Sequence, residues 1–376
     1  MAKSAKVESI KKLFQTNMVA VIATVAAIIT MFIIAPDKEY LEYIDLRTLS
    51  TLFIMLVIVR GFEEIHFFQI LARRIVSHFK TTRLAILALI YITFISSMFI
   101  TNDMALITFL PLGYYLLRST NLERYIAFTF NMQNIAANLG GMLTPFGNPQ
   151  NLYLYSYYNI DIIEFLRIMF LPFSLSMVLI TISIFFIRNQ KLVLSEHNDH
   201  TVQKLDRKKT GLYFLLFAFF LLVMFRYISY LYGLIVIILV FLIIEKRVFQ
   251  KVDYPLLFTF FAFFIFAGNM SRMDAVHEFL SELLTSSTLL TGVLTSQIIS
   301  NVPAAILLSK FTTNYSDLLI AVNIGGAGTL IASLASLITF REYMKHYPSK
   351  QRYFLKMFSM INLGFLSILI LCSLYM

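Results

Sequence analysis

Apolar residues fall in long runs along the chain, at 17–35, 48–62, 162–187, 211–225, 230–244, 255–267 and 353–376. Runs of about 17–25 apolar residues span a bilayer as helix, so these predict membrane crossings, the shorter ones tilted or paired. Two stretches are apolar on one face only. In 64–79, Phe68, Leu71, Ala72, Ile75, Val76 and Phe79 form a stripe opposite Gln69, Arg73, Arg74, Ser77 and His78. That pattern predicts an amphipathic helix lying in the inner interface. The second stretch, 272–284, carries Asp274, Glu278 and Glu282 and is expected in the outer interface.

Other apolar segments are interrupted by polar or helix-breaking residues. The segment 84–117 is cut at Thr101-Asn102-Asp103, and a later one at Ser300-Asn301-Val302. Both are read as re-entrant hairpins with these residues at the tips. The segment 125–155 is broken at Gly140-Gly141 and again over 144–149, and 317–340 is broken as well. The expected fold class is an all-α integral membrane protein with two re-entrant hairpins and two broken transmembrane helices.

Composition agrees: 59% of residues are hydrophobic and 14% charged, against about 25% charged in soluble domains. Trp is absent, so Tyr and Phe must serve the interfaces. The net charge of +10 would suggest nucleic acid in a soluble chain. Here the positive-inside bias accounts for it. The lone Cys372 leaves no internal disulfide and no multi-cysteine metal cage. Lys3, Lys6, Lys11 and Lys12 precede a long apolar run without a convincing cleavage site, so it reads as an uncleaved first helix.

A basic, cytoplasmic N-terminus sets the topology. Threading from there, with both hairpins re-entrant, places all but six of the 31 Lys and Arg inside. The exceptions are Lys38, Arg47, Arg167, Arg226, Arg272 and Lys310, and the C-terminus emerges outside. Arg60, Arg167 and Arg226 lie near helix ends and read as snorkelling residues.

The halves share an order: helix, helix, amphipathic segment, interrupted hairpin, broken helix, helix. Asn138, Gly140, Gly141 and Thr144 align with Asn323, Gly325, Gly326 and Thr329, while Gly147 and Asn148 align with Ala332 and Ser333. The extra helix 211–225 changes the parity and turns the second half upside down. The expected divisions are 1–188 (first repeat), 189–210 (cytoplasmic linker), 211–229 (extra helix) and 230–376 (second repeat). Inverted repeats with interrupted helices predict a substrate site between them, near the midplane.

A broken helix leaves carbonyls unpaired at one half-helix end and N–H groups at the other. The carbonyls suit a small cation and the N-termini an anion. The glycines let backbone turn and approach a ligand, and Pro145 and Pro303 remove donors. Thr101, Asn102, Ser300 and Asn301 are also ordinary N-cap types, and at membrane depth capping and ligand binding share one geometry. Asp103 is the one acidic residue that this topology places deep in the membrane. It reads either as a carboxylate held at a helix N-terminus or as a coupling residue, since a desolvated carboxylate keeps its proton or pairs with a cation. No histidine is expected to form an i, i+4 metal pair with an acid, and no Walker loop, HExxH or nucleophile elbow occurs. These absences argue against an ATP-driven pump, an intramembrane protease and enzymatic function generally.

The tip residues, with Gly-Gly-x-x-Thr-Pro-x-Gly-Asn-Pro-x-Asn over 140–151, resemble the ion transporter superfamily. That group holds the divalent anion:sodium symporters (citrate and dicarboxylate carriers), the arsenite permeases and the NhaD-type antiporters. The chain is most similar to citrate-transporter-like permeases that read Thr-Asn-Asp at the first tip and Ser-Asn-Val-Pro at the second. In the dicarboxylate branch both tips read Ser-Asn-Thr and hold sodium and substrate carboxylates. The resemblance therefore implicates Thr101, Asn102, Asp103, Ser300, Asn301 and Val302, completed by Thr144, Gly147, Asn148, Thr329, Ala332 and Ser333. Asp103 and Val302 depart from that pattern, and Val302 offers only backbone. The resemblance also implies a homodimer with an elevator motion.

The resulting expectation is a multi-pass plasma-membrane carrier of a small anion, coupled to sodium or protons and needing no bound cofactor, structural metal or nucleic acid. A transported sodium ion would sit near Thr101, Asn102, Asp103, Gly147, Ser300 and Asn301. The alternatives are a cation/proton antiporter with Asp103 as shared carrier, or an arsenite-type efflux permease.

Overall fold

The computed structural model describes residues 18–191 and 205–375. Lys3, Lys6, Lys11, Lys12, Lys204 and most of the linker lie outside the described residues. Among the described residues the structure is helical, with one isolated bridge, Thr81 to Lys191, and no strand.

The first part comprises α1 (Met18–Ile33), α2 (Leu46–Glu64), the amphipathic α3 (Phe67–Ser77), α4 (Thr82–Ser96), α5 (Asn102–Ser119), α6 (Ile126–Gly140), α7 (Pro149–Tyr157) and α8 (Ile162–Ser183). There follow α9 (Arg207–Met224), α10 (Tyr230–Ile244), α11 (Tyr254–Ser271), the amphipathic α12 (Asp274–Ser286), α13 (Thr288–Ile299), α14 (Asn301–Leu308), α15 (Tyr315–Gly325), α16 (Leu334–His346) and α17 (Gln351–Ser373). Each interruption read from sequence is a break in helix. Among the described residues three helical segments, Ile162–Phe186, Tyr254–Ser271 and Pro348–Ser373, are long and apolar enough to cross a bilayer by length and composition.

The breaks have local causes. A residue before proline is steered out of the α region, which ends helix ahead of Pro145 and Pro149. Pro149 is then the first residue of α7, where its missing N–H costs nothing. The second break, between α15 and α16, lacks proline; Ser333 caps α16 by accepting from Ala335 N at 3.2 Å.

Polarity runs opposite to that of a soluble protein. Phe32, Phe186 and Ile243 are exposed, while Asn131, Gln133, Asn134, Asn151 and Asn323 are buried completely. That is the arrangement a hydrocarbon solvent favours. Helix pairings recur in both parts. α4 packs on α6, and α13 on α15. α5 meets α16, and α14 meets α7. α6 meets α17, and α15 meets α8. The interrupted helices therefore converge on one another in the interior.

Candidate functional site

At the convergence lies a cluster of asparagines with almost no exposure. Asn102, in the first turn of α5, donates to Asn138 Oδ1 on α6 at 3.1 Å. Ser333 Oγ donates to the same oxygen from the second break at 2.7 Å. Asn148, ahead of α7, donates to Asn138 O and to Asn323 Oδ1 on α15, both at 3.2 Å. Asn323 in turn donates to Asn151 Oδ1 at 2.6 Å. The cluster thus joins the start of α5, both helix breaks and the start of α7.

The contacts exchange partners across the centre. Asn148 bonds Asn323, and Ser333, which aligns with Asn148, bonds Asn138, which aligns with Asn323. A second pair recurs within each part. Thr144 Oγ1 donates to Met98 O at 2.8 Å, and Thr329 Oγ1 donates to Gln297 O at 3.2 Å. Met98 and Gln297 each lie three residues before Thr101 and Ser300.

The glycines sit where helices touch closely. A Cβ on Gly140 would overlap the Phe94 carbonyl of α4, and one on Gly325 would lie 2.9 Å from Ser296 Cβ of α13. Gly326 lies against Asn301 Nδ2, with room for a Cβ only at 2.8 Å, and Gly141 packs against Asn148 and Gly147.

The two tips differ. Thr101 has relaxed extended backbone, with φ −58° and ψ 151°. Ser300 has φ 77° and ψ 154°, a region essentially reserved for glycine that costs on the order of 1–3 kcal/mol. It is pinned by Ala332 O, which accepts from Asn301 N at 2.9 Å and from Ser300 Oγ at 3.3 Å. Asp103 N donates to Asn102 Oδ1 at 3.0 Å, yet Asp103 Oδ1 is buried without a hydrogen-bond donor. Val302 is half-buried and brings no side-chain polar group.

Several participants escaped the sequence reading. Asn151 stands inside the quoted motif, and its amide braces the first break by donating to Gly141 O, Met142 O and Thr144 O at 3.3, 3.2 and 3.1 Å. Gln297 braces the second from the neighbouring helix, donating to Gly325 O at 2.8 Å and accepting from Thr329 N at 2.7 Å. Asn134 bonds Asn362 and Ser336. The available signal was Asn131, Asn134 and Asn138 at helical spacing in an apolar segment.

Glu342 and His346, an i, i+4 pair, lie 3.2 Å apart; the carboxylate also takes Lys345 and the imidazole stacks on Tyr114. Two ligands make no metal cage, and no group of three His, Cys, Asp or Glu able to hold a metal occurs among the described residues. Arg226 is exposed, and its guanidinium donates to Tyr155 O at 2.9 Å.

A family model described as citrate transporter matches residues 9–319. The chain belongs to that family. It is 33% identical over 324 residues to an uncharacterized transporter of Methanocaldococcus jannaschii, covering 85% of this chain and 87% of that one. It is 30% identical over 318 residues to the inner membrane protein YbiR of Escherichia coli K12, covering 83% and 84%. This member of the citrate transporter family is therefore a membrane transporter, not an enzyme. The matched region contains Thr101–Asp103, Ser300–Val302 and the first break and stops short of Asn323 and Ser333.

Proposed function

We propose that the chain is a secondary active transporter of a small anion, a di- or tricarboxylate or an inorganic oxyanion, coupled to sodium or protons. The observation that carries this reading is the exchanged pair of bonds, Asn148 to Asn323 and Ser333 to Asn138. Such an exchange is what two oppositely oriented repeats around one central site produce. The recurring helix pairings support the same divisions, 1–188 and 230–376, with 189–210 as linker and the region 211–229 as the helix that inverts the second half. α13 and α14 have 12 and 8 residues. At 1.5 Å per residue they reach about 18 and 12 Å, too short for a hydrocarbon core of about 30 Å. That supports a re-entrant hairpin.

In this mechanism the tip and break residues bind cargo and ion. The α5 and α14 N-termini offer N–H groups to the anion, and the break carbonyls with Asn and Thr oxygens offer ligands to a cation. Asp103 couples the two by holding a proton or facing the cation. The N-terminus is cytoplasmic, the C-terminus outside, and the protein works in the plasma membrane as a homodimer with an elevator motion. A cation/proton antiporter is the second reading, favoured by the buried Asp103 oxygen that lacks a donor.

Reconstitution in liposomes separates the two. Uptake of citrate, succinate, sulfate, phosphate or arsenite under separate sodium and proton gradients supports the anion carrier. Sodium/proton exchange independent of any anion supports the antiporter instead. Asp103→Asn is expected to insert normally and to lose or uncouple transport; unchanged coupling would remove Asp103 from that role.

A further inference from the structure

Of the basic residues that the topology places outside, two are consumed by partners. Arg272 pairs with Asp37 and Glu39, and Arg226 bonds Tyr155. Arg47 and Lys310 have no ion pair among the described residues, and both line one cavity of about 350 Å³. It lies between the start of α2, the C-terminal end of α7 and the turn after α14, and Ser156 and Tyr157 complete one wall.

We propose that this cavity is an outer docking site for a carboxylate or oxyanion, with Lys310 and Arg47 as its charged ligands. The inference rests on the anion-transport reading and extends it to a second site. The Lys310 ammonium lies 4.6 Å from the centre of the Tyr157 ring and has no hydrogen-bond acceptor among the described residues. Burial pushes its pKa below the ordinary lysine value, partly countered by the Asp45 charge. A half-dehydrated cation of this kind gains most from an anion that can accept charge-assisted hydrogen bonds. The hydroxyls of Ser156 and Tyr157 add donors that make no hydrogen bond within the described chain.

The two carboxylates on the wall do not fill the role. Asp45 is spent capping α2, where it accepts from Thr48 N at 2.9 Å, and Glu42 is exposed. Cations on the outer face run against the positive-inside bias, so their gathering at one cavity calls for a local cause. The position suits hand-over. α7 begins at the asparagine cluster and ends at the cavity, as does α14. From Asn151 to Ser156 is about 7–8 Å along the axis, and α14 spans about 12 Å.

The test uses the full chain with Glu42→Cys as reporter in a Cys372→Ser background, reconstituted in phosphatidylcholine vesicles. An impermeant methanethiosulfonate reagent is added outside. Saturating succinate, citrate or sulfate is expected to slow modification at least about threefold, the reduction that occupancy of two thirds or more produces by mass action. Lys310→Met should abolish that protection, and Lys310→Arg should keep it. Absence of protection by every anion overturns the proposal. So does protection that survives Lys310→Met, which would leave Lys310 as a cation complementing the α14 C-terminus. Protection that needs only phosphatidylglycerol and no added anion assigns the site to a lipid headgroup and overturns the cargo assignment. Protection without uptake overturns the transport reading and leaves the anion site standing, and uptake without protection does the reverse.

Discussion

Truncating Asn148 to Ala tests whether the two halves are tied at the centre. Its amide makes two buried bonds at 3.2 Å, to Asn138 O and Asn323 Oδ1. A neutral buried bond contributes about 1 kcal/mol net, and an acceptor left unsatisfied costs about 1–3 kcal/mol. After truncation Asn323 Oδ1 retains only Gln150, at 3.5 Å. The expected loss is therefore about 2–4 kcal/mol. Asn148→Asp keeps the size but cannot donate, and should be at least as damaging as Ala. In a cycle with Asn323→Ala, the second truncation should cost about 1–2 kcal/mol less than the first, because its partner is already gone. The assay is unfolding of purified protein in one fixed detergent, all four proteins side by side. An interaction energy below about 0.5 kcal/mol would mean the sites are independent. That result would refute the reasoning that the central exchange of bonds holds the halves together.

Three further outcomes are expected. Gly140→Ala should destabilise by about 1–3 kcal/mol through overlap with a backbone carbonyl, and Gly325→Ala by less, because it meets only the Ser296 side chain closely; equal losses in thermal unfolding would contradict this. Ser300→Gly should raise stability by about 1 kcal/mol as left-handed strain is released, while Ser300→Ala should not; the opposite order in the same assay would show the tip unstrained. The Arg272 hydrogen bond holds the Asp37 carboxyl below its ordinary value of 3.8, against the opposing effect of burial. Its folded pKa being depressed, the contribution is full above the unfolded value and is lost as pH falls through the folded one. The stability gap between wild type and Arg272→Gln should stay level from about pH 8 to pH 5 and close below about pH 4, and a gap that closes on raising pH would refute the pairing.

Much of the site was legible because buried polar groups at membrane depth are costly and stand out. Asn102, Asn138, Asn148, Asn323 and Ser333 were named from motif and alignment, and they meet in one cluster. Gln297 was not, since a glutamine in an apolar run shows no partner until the second break folds against it. Asn134 was missed for the same reason: its partners, Asn362 and Ser336, lie more than 200 residues away.

The medium, the helical class, the places where helices break and the residue types at those breaks are written in the chain itself. Each follows from short-range rules: apolar length, proline and glycine sterics, and the cost of unpaired backbone in hydrocarbon. Which breaks meet depends on tertiary packing. It placed Asn148 on Asn323 and Ser333 on Asn138, strained Ser300 and not Thr101, and left Lys310 without an ion pair among the described residues while tying up Arg272. Those are properties of pairs far apart in the chain, and only the packed helices set the distances between them.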